Sequence, residues 1–304
     1  MSLVDTYRPA CLDEIIGQQH VTRVLKKIIA NPQKYPKNMI FGGAFGVGKT
    51  SAARAFYNEL RVHYPDATLH EFRNRDFRKA EAMDSIKQLF EQVFRYKSNY
   101  SVVVLNEFQL ASQTAQSILL ETLEDNTDVR AFFIFTTTNV SKLIDTIVSR
   151  CLEFNFKLIE DELVVAYLRR MADLNQIVVA DETLAYICKL SGGHMRDALK
   201  YLDLYSIDAE MFFANTKAVH DDLRGYIFGH EKLRKVLMYD VGRLSVALNT
   251  LVSDIMLETL DTKYISAVKF FEHYLSLKNN VTTIEDLSGL LFSMKRLNTQ
   301  LRLL

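Results

Sequence analysis

The sequence predicts an α/β fold, a parallel sheet with helices on both faces, followed by segments that are helical only. The apolar stretch from Asn38 to Phe41 leads through a glycine-rich loop into an amphipathic segment, Lys49 to Leu60, which gives the order strand, loop, helix. The unbroken apolar run from Val102 to Leu105 is typical of a strand buried on both faces of a parallel sheet. Beyond Ile207 the sequence shows helical periodicity without strand patterns.

Five short strands are predicted, several of them from apolar runs, and amphipathic segments lie between the strands. The predicted strands are Asn38 to Phe41, Thr68 to Phe72, Ser101 to Leu105, Phe132 to Thr137 and Leu152 to Phe156. The helices predicted among them are Val21 to Ile29, Lys49 to Leu60, a segment whose apolar stripe is Met83, Ile86, Leu89, Phe90 and Val93, and Gln113 to Glu124. The helices predicted after the last strand begin at Asp161 and continue with Asp181 to Leu190, His194 to Tyr205, Arg243 to Leu260 and Lys263 to Leu277.

Length and patterning together divide the chain into three parts. A chain of 304 residues is too long for one compact core, and an apolar fraction of 48% is enough to fill several. We expect an α/β domain over residues 1–157, a smaller helical domain over residues 158–208 and a second helical domain over residues 209–304.

The charge balance and the cysteines exclude several classes of protein. Lys plus Arg and Asp plus Glu both number 37, so any DNA contact must come from a local basic face or from several subunits together. No apolar run approaches the ~20 residues of a membrane span and the N-terminus lacks a signal-peptide core, so we expect no membrane partner. The expected location is cytoplasmic, in the host cell for a viral protein, or nuclear for a eukaryotic one. Cys11, Cys151 and Cys188 form no C-x-x-C pair, which excludes a disulfide framework and a four-cysteine zinc site.

The glycine-rich loop fits the pattern G-x-x-x-x-G-K-[ST], which binds the phosphates of nucleotides. Glycines let successive backbone N–H groups turn inward around a polyphosphate, at the positive N-terminal end of the following helix. Lys49 is expected to neutralise the β and γ oxygens of ATP, and Thr50 to provide its hydroxyl oxygen to Mg²⁺. The predicted ATP-binding residues of the loop are Gly43, Ala44, Phe45, Gly46, Val47, Gly48, Lys49, Thr50 and Ser51. The alternative is a turn that binds no ligand.

Two groups of polar residues follow predicted strands. Asn106 and Glu107 come directly after Leu105, at the sheet edge where the ligand crevice of an open α/β sheet lies. Glu107 is therefore placed to polarise an attacking water, unless it is an ordinary surface glutamate. At the end of the next strand lie Thr136, Thr137, Thr138 and Asn139. These residues either contact the γ-phosphate or orient the attacking water, or they cap the following turn.

Five short strings carry a family resemblance when they are taken together. They are Tyr7-Arg8-Pro9, Gly17-Gln18, Ala115 to Glu124, Ser149-Arg150-Cys151 and Gly193 to Leu199. The first two strings together resemble the N-terminal box of the AAA+ clamp-loader family. The other three resemble, in order, its central helix, its SRC motif and its sensor 2 helix. That family includes replication factor C small subunits, bacterial polymerase III gamma and delta-prime subunits and phage clamp-loader ATPases. The resemblance covers residues 1–205 closely, and the rest of the chain only by length and helicity.

The resemblance implies a RecA-like AAA+ fold with a three-helix lid and a helical collar, and it assigns roles to single residues. Arg150 is implied to be an arginine finger that acts on ATP bound to the neighbouring subunit, and Arg196 to be sensor 2. Thr138 aligns best with sensor 1, with Asn139 as the alternative. The residues implied to be catalytic are Glu107, Arg150, Arg196 and Thr138, and those implied to line the adenine pocket are Tyr7, Arg8 and Pro9.

DNA contact is implied by the same resemblance. Lys87 occupies a position that is usually basic in the family, and the start of the central helix faces duplex phosphates. The implied contacts at that helix are Ser112, Gln113 and Thr114.

The structural alternative to the role of Arg150 as an arginine finger is a local ion pair with Asp145 or Glu153.

Asn106 departs from the family, where an aspartate normally holds water on Mg²⁺. The predicted metal site is therefore Thr50 with Asn106. An amide oxygen has similar reach but brings no charge, so Mg²⁺ should be held less firmly and ATP hydrolysed slowly. The opposite interpretation is a subunit that binds ATP without hydrolysing it.

The function implied by the resemblance is that of an ATPase subunit in a DNA sliding-clamp loader. Such subunits assemble into a pentamer, open a ring-shaped clamp with ATP bound and release it on primer-template DNA after hydrolysis. The alternatives are a scaffold subunit that binds ATP but hydrolyses it weakly or not at all, and a related AAA+ motor of replication or recombination. The string Ser149-Arg150-Cys151 argues against such a motor.

Overall fold

The computed structural model describes residues 2–73, 99–124, 130–228 and 284–301, together with single residues 236, 244, 247, 248, 251, 252 and 274. Of the predicted elements, the amphipathic helix around Met83 to Val93 lies outside these ranges, and so does Lys87. The segments Arg243 to Leu260 and Lys263 to Leu277 are described only at scattered positions. Those positions, which include Leu244, Leu251 and Tyr274, are helical.

Five parallel strands form one sheet in the order β2-β3-β4-β1-β5. The strands are β1 (Asn38–Gly43), β2 (Thr68–Phe72), β3 (Ser101–Leu105), β4 (Ala131–Thr137) and β5 (Leu152–Phe156). In the register, Met39 of β1 lies opposite Ile134 of β4 on one side and Leu152 of β5 on the other. The predicted strands are confirmed, with β1 two residues longer because Gly42 and Gly43 still pair with β5 before the chain turns away.

Helices connect and follow the strands. The helices are α1 (Leu3–Thr6), α2 (Gln19–Ala30), α3 (Lys49–His63), α4 (Gln113–Glu124), α5 (Asp145–Val148), α6 (Asp161–Leu174), α7 (Asp181–Ser191), α8 (Met195–Ile207), α9 (Ala209–Phe228) and α10 (Ile284–Leu301). No helix of the described ranges is long and apolar enough to cross a membrane.

The sheet is buried on both faces. Because side chains alternate along a strand, Ile40 and Phe41 of β1 point to opposite sides and enter two separate apolar cores. The core around Phe41 includes Leu25 of α2 and Phe56 of α3, whereas the core around Ile40 includes Leu119 of α4. The predicted α/β class, with helices on both faces of a parallel sheet, is confirmed.

The chain divides into two compact units. Residues 1–164 with 193–196 form the first unit, which contains the sheet, and residues 165–192 with 197–304 form the second. Within the second unit, α9 and α10 pack through a core that includes Leu223, Ile227, Leu291 and Met294. The finer division into domains at residues 157 and 208 stays a prediction.

Candidate nucleotide-binding site

The loop between β1 and α3 has a backbone that only glycines adopt readily. Gly43, Gly46 and Gly48 have φ angles of 143°, 72° and 104°, in the range that side chains disfavour. A Cβ at Gly43 would lie 2.2 Å from the Phe156 carbonyl oxygen at the end of β5. The glycines therefore allow the loop to turn tightly against the sheet edge and enter α3 at Lys49.

Lys49 lies inside this loop. Its side chain is buried, and Nζ donates hydrogen bonds to the carbonyl oxygens of Gly43 (2.7 Å) and Ala44 (2.5 Å). Burial lowers the pKa of Lys49 to about 8; the nearby positive charge of Arg196 lowers it further and the Glu107 carboxylate opposes the shift. A buried cation bonded to two carbonyl oxygens is poised to be stabilised by an incoming anion.

Nucleotide affinity is expected to fall as the pH rises above about 8. Phosphate stabilises protonated Lys49 and therefore raises its pKa on binding. At pH values where the free lysine is already neutral, binding requires the uptake of a proton and is weaker. A fluorescent ADP analogue in EDTA should therefore bind about tenfold more weakly at pH 9 than at pH 7. An affinity that stays constant over this range contradicts the prediction. Lys49→Arg, whose cation does not titrate here, serves as the control and should flatten the profile of any binding it retains.

Thr50 and Asn106 face each other at the carboxyl ends of the strands. The Thr50 hydroxyl donates to Asn106 Oδ1 at 2.8 Å, and the Thr136 hydroxyl donates to the same oxygen at 3.2 Å. Asn106 Nδ2 donates to Glu71 Oε1 at 2.8 Å. Hydroxyl and amide oxygens are ligands, or partners of bound water, that suit Mg²⁺, so the residues present fit this ion.

Glu107 has a backbone conformation that non-glycine residues seldom adopt, with φ 55° and ψ 44°. Its N–H donates to the Thr136 hydroxyl at 3.2 Å, and its side chain is exposed. Residues held in such conformations cluster at functional sites, where the surroundings maintain the strain. The turn directs the chain away from β3 immediately after Asn106, so the two side chains are presented at the same sheet edge.

The stretch from Gly193 to Arg196 rests on the phosphate loop. The His194 ring stacks on Phe45 with centroids 4.4 Å apart, and its Nδ1 lies 2.6 Å from the Phe45 carbonyl oxygen. The Arg196 N–H donates to the Gly46 carbonyl oxygen at 3.4 Å. Gly193 has φ 82°, and a Cβ there would lie 2.9 Å from the Ile159 carbonyl oxygen. This contact brings Arg196 beside the loop although the two are distant in sequence.

The N-terminal segment also reaches the loop. Gln18 is fully buried and exchanges hydrogen bonds with the backbone of Lys157, while its Nε2 also donates to the Val47 carbonyl oxygen. Burial lowers the pKa of the half-buried Arg8 guanidinium, and the nearby positive charges of Arg54 and Arg196 lower it further. Tyr7 ends α1 and, like Pro9, is half-buried.

The polar residues at the carboxyl end of β4 have different partners. Thr136 bonds to Asn106 and Glu107 as described, whereas the Asn139 side chain accepts from Ser141 N and caps a turn. The exposed Thr138 hydroxyl accepts from Gln109 Nε2 at 3.1 Å. Thr138 is thus not the threonine that contacts the Asn106 amide, and its role as sensor 1 stays a prediction.

The other predicted residues belong to the first turn of α4 and to the segment just after α5. Arg150 is exposed and its Nη1 donates to the Thr146 carbonyl oxygen at 2.9 Å. Ser112, Gln113 and Thr114 are exposed where α4 begins, and the Ser112 hydroxyl accepts from Ala115 N.

Two residues of the site were not among the sequence predictions. Glu71 bonds to Asn106, and Arg54 bonds to Glu71 through both Nε (2.9 Å) and Nη2 (2.7 Å). The available signal was the position of Glu71 near the end of β2, since carboxyl ends of parallel strands meet at one edge of a sheet.

Comparison with known proteins agrees with this geometry. Residues 39–158 match the family described as ATPases associated with various cellular activities. The chain belongs to the AAA+ family of ATPases. It is related to the gamma/tau subunits of DNA polymerase III and to replication factor C small subunits.

Two relatives illustrate the relation of this AAA+ protein to replication subunits. DNA polymerase III subunit tau of Bacillus subtilis is 29% identical over 220 residues, which cover 66% of this chain and 39% of that protein. The replication factor C small subunit of Natronomonas pharaonis is 30% identical over 207 residues, which cover 67% of this chain and 62% of that protein. The chain thus spans less than two thirds of the length of these relatives.

Solved structures agree on the fold. The Holliday junction branch migration motor RuvB of Thermotoga maritima has a TM-score of 0.57 at 18% identity, covering 73% of this chain and 80% of that one. A variant of the same RuvB has a TM-score of 0.58 and covers 82% of this chain and 91% of that one. At this identity the likeness shows the fold alone, an AAA+ sheet followed by helices.

Proposed function

We propose that this AAA+ protein binds and hydrolyses ATP as a subunit of a DNA sliding-clamp loader. One observation carries the nucleotide part of the proposal: the phosphate loop, the Thr50–Asn106 pair, Glu107 and Arg196 converge at one edge of the sheet. The relation to DNA polymerase III and replication factor C subunits supports the replication part. Residues 158–208 would then form the lid and residues 209–304 the collar.

Each residue of the edge has a role in phosphoryl transfer to water. The loop N–H groups and Lys49 hold the β- and γ-phosphates. The backbone of Arg196 bonds to Gly46, which would place its positively charged side chain beside the same phosphates. Glu107, exposed next to Asn106, orients and deprotonates the attacking water. Thr50 and Asn106 would hold Mg²⁺, which would supply positive charge next to the phosphate oxygens.

Arg150 supports an oligomeric enzyme. Its guanidinium is exposed just after α5 and donates a hydrogen bond to the backbone carbonyl of Thr146. An exposed arginine in this string serves as a finger for the ATP of a neighbouring subunit, which requires an assembly with other loader subunits.

The first turn of α4 supports a DNA contact. Ser112, Gln113 and Thr114 are exposed at a helix N-terminus, whose partial positive charge attracts phosphate. Contacts of this kind bind DNA without regard to sequence and weaken with salt.

Steady-state ATP hydrolysis by the assembled complex tests the proposed function. We expect turnover to rise when the cognate sliding clamp and primer-template DNA are added together, and this stimulation to fall as salt increases. Unprimed duplex DNA and clamp alone are the matched controls. Turnover that is indifferent to the clamp and DNA pair would contradict the clamp-loader assignment.

A scaffold subunit that binds ATP without useful hydrolysis is the second candidate, and Asn106 favours it. A neutral amide stands where the family has a carboxylate, so the metal site has less charge of its own. Nucleotide binding without measurable turnover in the assembled complex would support this candidate.

A further inference from the structure

Hydrogen bonds fix the direction in which the Asn106 amide points. The side chain is buried, Nδ2 donates to Glu71 Oε1, and Oδ1 accepts from the hydroxyls of Thr50 and Thr136. A carboxylate can only accept hydrogen bonds, so the donor end of the amide must face Glu71. The acceptor end is thereby turned toward Thr50.

Glu71 is itself held in place. Arg54 donates two hydrogen bonds to Oε2 of Glu71, which leaves Oε1 for Asn106. Both side chains are partly buried, with exposed fractions of 30% for Arg54 and 19% for Glu71. Charge-assisted hydrogen bonds of this kind are shorter and stronger than neutral ones. They hold in one arrangement the series of hydrogen bonds that runs from Arg54 through Glu71 and Asn106 to Thr50.

We propose that Glu71 is the positioning residue of the magnesium site, which makes an asparagine usable at position 106. The inference rests on the proposed function, because it concerns the metal that accompanies ATP. Glu71 orients the amide oxygen toward Thr50 and polarises it by accepting from the amide nitrogen. Because Arg54 neutralises Glu71, the contribution of this residue of strand β2 is to orient the Asn106 amide and not to add net charge.

The same geometry predicts that aspartate at position 106 is not an improvement in this chain. An aspartate oxygen would take the place of Nδ2, 2.8 Å from a Glu71 oxygen, and two carboxylates at this distance repel each other. A glutamine at position 71 would remove the conflict, since its amide can donate to the new carboxylate. The hydrogen bond between the two positions is then restored with its direction reversed.

Binding of a fluorescent ATP analogue to the purified chain, titrated with Mg²⁺, tests this coupling. In Glu71→Gln the Mg²⁺ concentration for half-maximal enhancement of binding should rise about tenfold, as for loss of a partner that orients a metal ligand. Asn106→Asp should weaken the Mg²⁺ response at least as much. The double variant should return to within about threefold of wild type, because adjacent residues of one network are not additive. Glu182→Gln, an exposed glutamate of α7, is the matched control.

Binding of the same analogue in EDTA and thermal unfolding separate the possible outcomes. The inference is supported if Glu71→Gln binds the analogue as tightly as wild type in EDTA but needs a higher Mg²⁺ concentration for the enhancement of binding. An unchanged Mg²⁺ response in Glu71→Gln, or a double variant no better than the worse single one, overturns it. Loss of binding in EDTA as well, or of folding, assigns Glu71 a purely structural role and also overturns it. If wild type binds no nucleotide at all, the proposed function itself is wrong, whereas binding that Lys49→Ala abolishes keeps that function intact.

Discussion

Replacing Arg150 with alanine should slow ATP hydrolysis by the assembled complex by ~10³-fold or more, the effect expected of an arginine finger. ATP binding to the isolated chain should hardly change. The physical reason is that Arg150 is exposed just after α5, whereas the loop proposed to bind phosphate is formed by other residues. As proposed above, its charge acts on a nucleotide bound to a neighbouring subunit.

Two measurements test this prediction. Titration of a fluorescent ATP analogue measures binding by the isolated variant, and phosphate release measures turnover by the complex. Arg61→Ala, at an exposed arginine in the last turn of α3, is the control and should leave both unchanged. Loss of ATP binding by the isolated Arg150→Ala chain would show that this arginine acts within its own subunit.

The sheet was predictable because its signals are local. Apolar runs mark β1, β3 and β4 in the sequence, and the continuous run in β3 requires burial on both faces. The phosphate loop was predictable for the same reason, since Gly43, Gly48, Lys49 and Thr50 are close in sequence and glycine spacing reports backbone geometry directly.

The network behind the loop was less predictable because it joins side chains from separate elements. Arg54 lies on α3, Glu71 on β2 and Asn106 after β3, and their spacing in sequence carries no sign of contact. Strand order decides which ends are neighbours, and here β2 is adjacent to β3. The sequence indicated that polar residues follow β3, but not that Glu71 near the end of β2 would bond to one of them.

The site also changes the interpretation of Asn106. From sequence, its missing charge predicts weaker Mg²⁺ binding and slow hydrolysis. In the structure, Asn106 has partners for both ends of its amide, including the carboxylate of Glu71. A site with an ordered amide oxygen and a charged partner is a better candidate for hydrolysis than an isolated asparagine would be.

Glu107→Gln should reduce ATP turnover by the assembled complex by about 10²-fold or more, the usual contribution of a general base. Glutamine keeps the size of the side chain but cannot take a proton from water. The backbone of Glu107 is held by Thr136, and its side chain is exposed, so the substitution should leave the fold and nucleotide binding intact. The prediction is a loss in the maximal rate, with little change in apparent affinity for ATP.

Turnover of wild type and Glu107→Gln, compared across a Mg²⁺ titration, distinguishes an active ATPase from a scaffold. Saturating Mg²⁺ removes any difference due to metal affinity at Asn106, so what is left reports the chemical step. Glu162→Gln, an exposed glutamate in the first turn of α6, controls for loss of a surface charge. If wild type turns over no faster than Glu107→Gln at saturating Mg²⁺, Glu107 is not acting as a base, because a functional base should separate the two rates by far more than experimental error. The subunit would then bind ATP to brace the assembly, and hydrolysis would have to occur at sites on its partners.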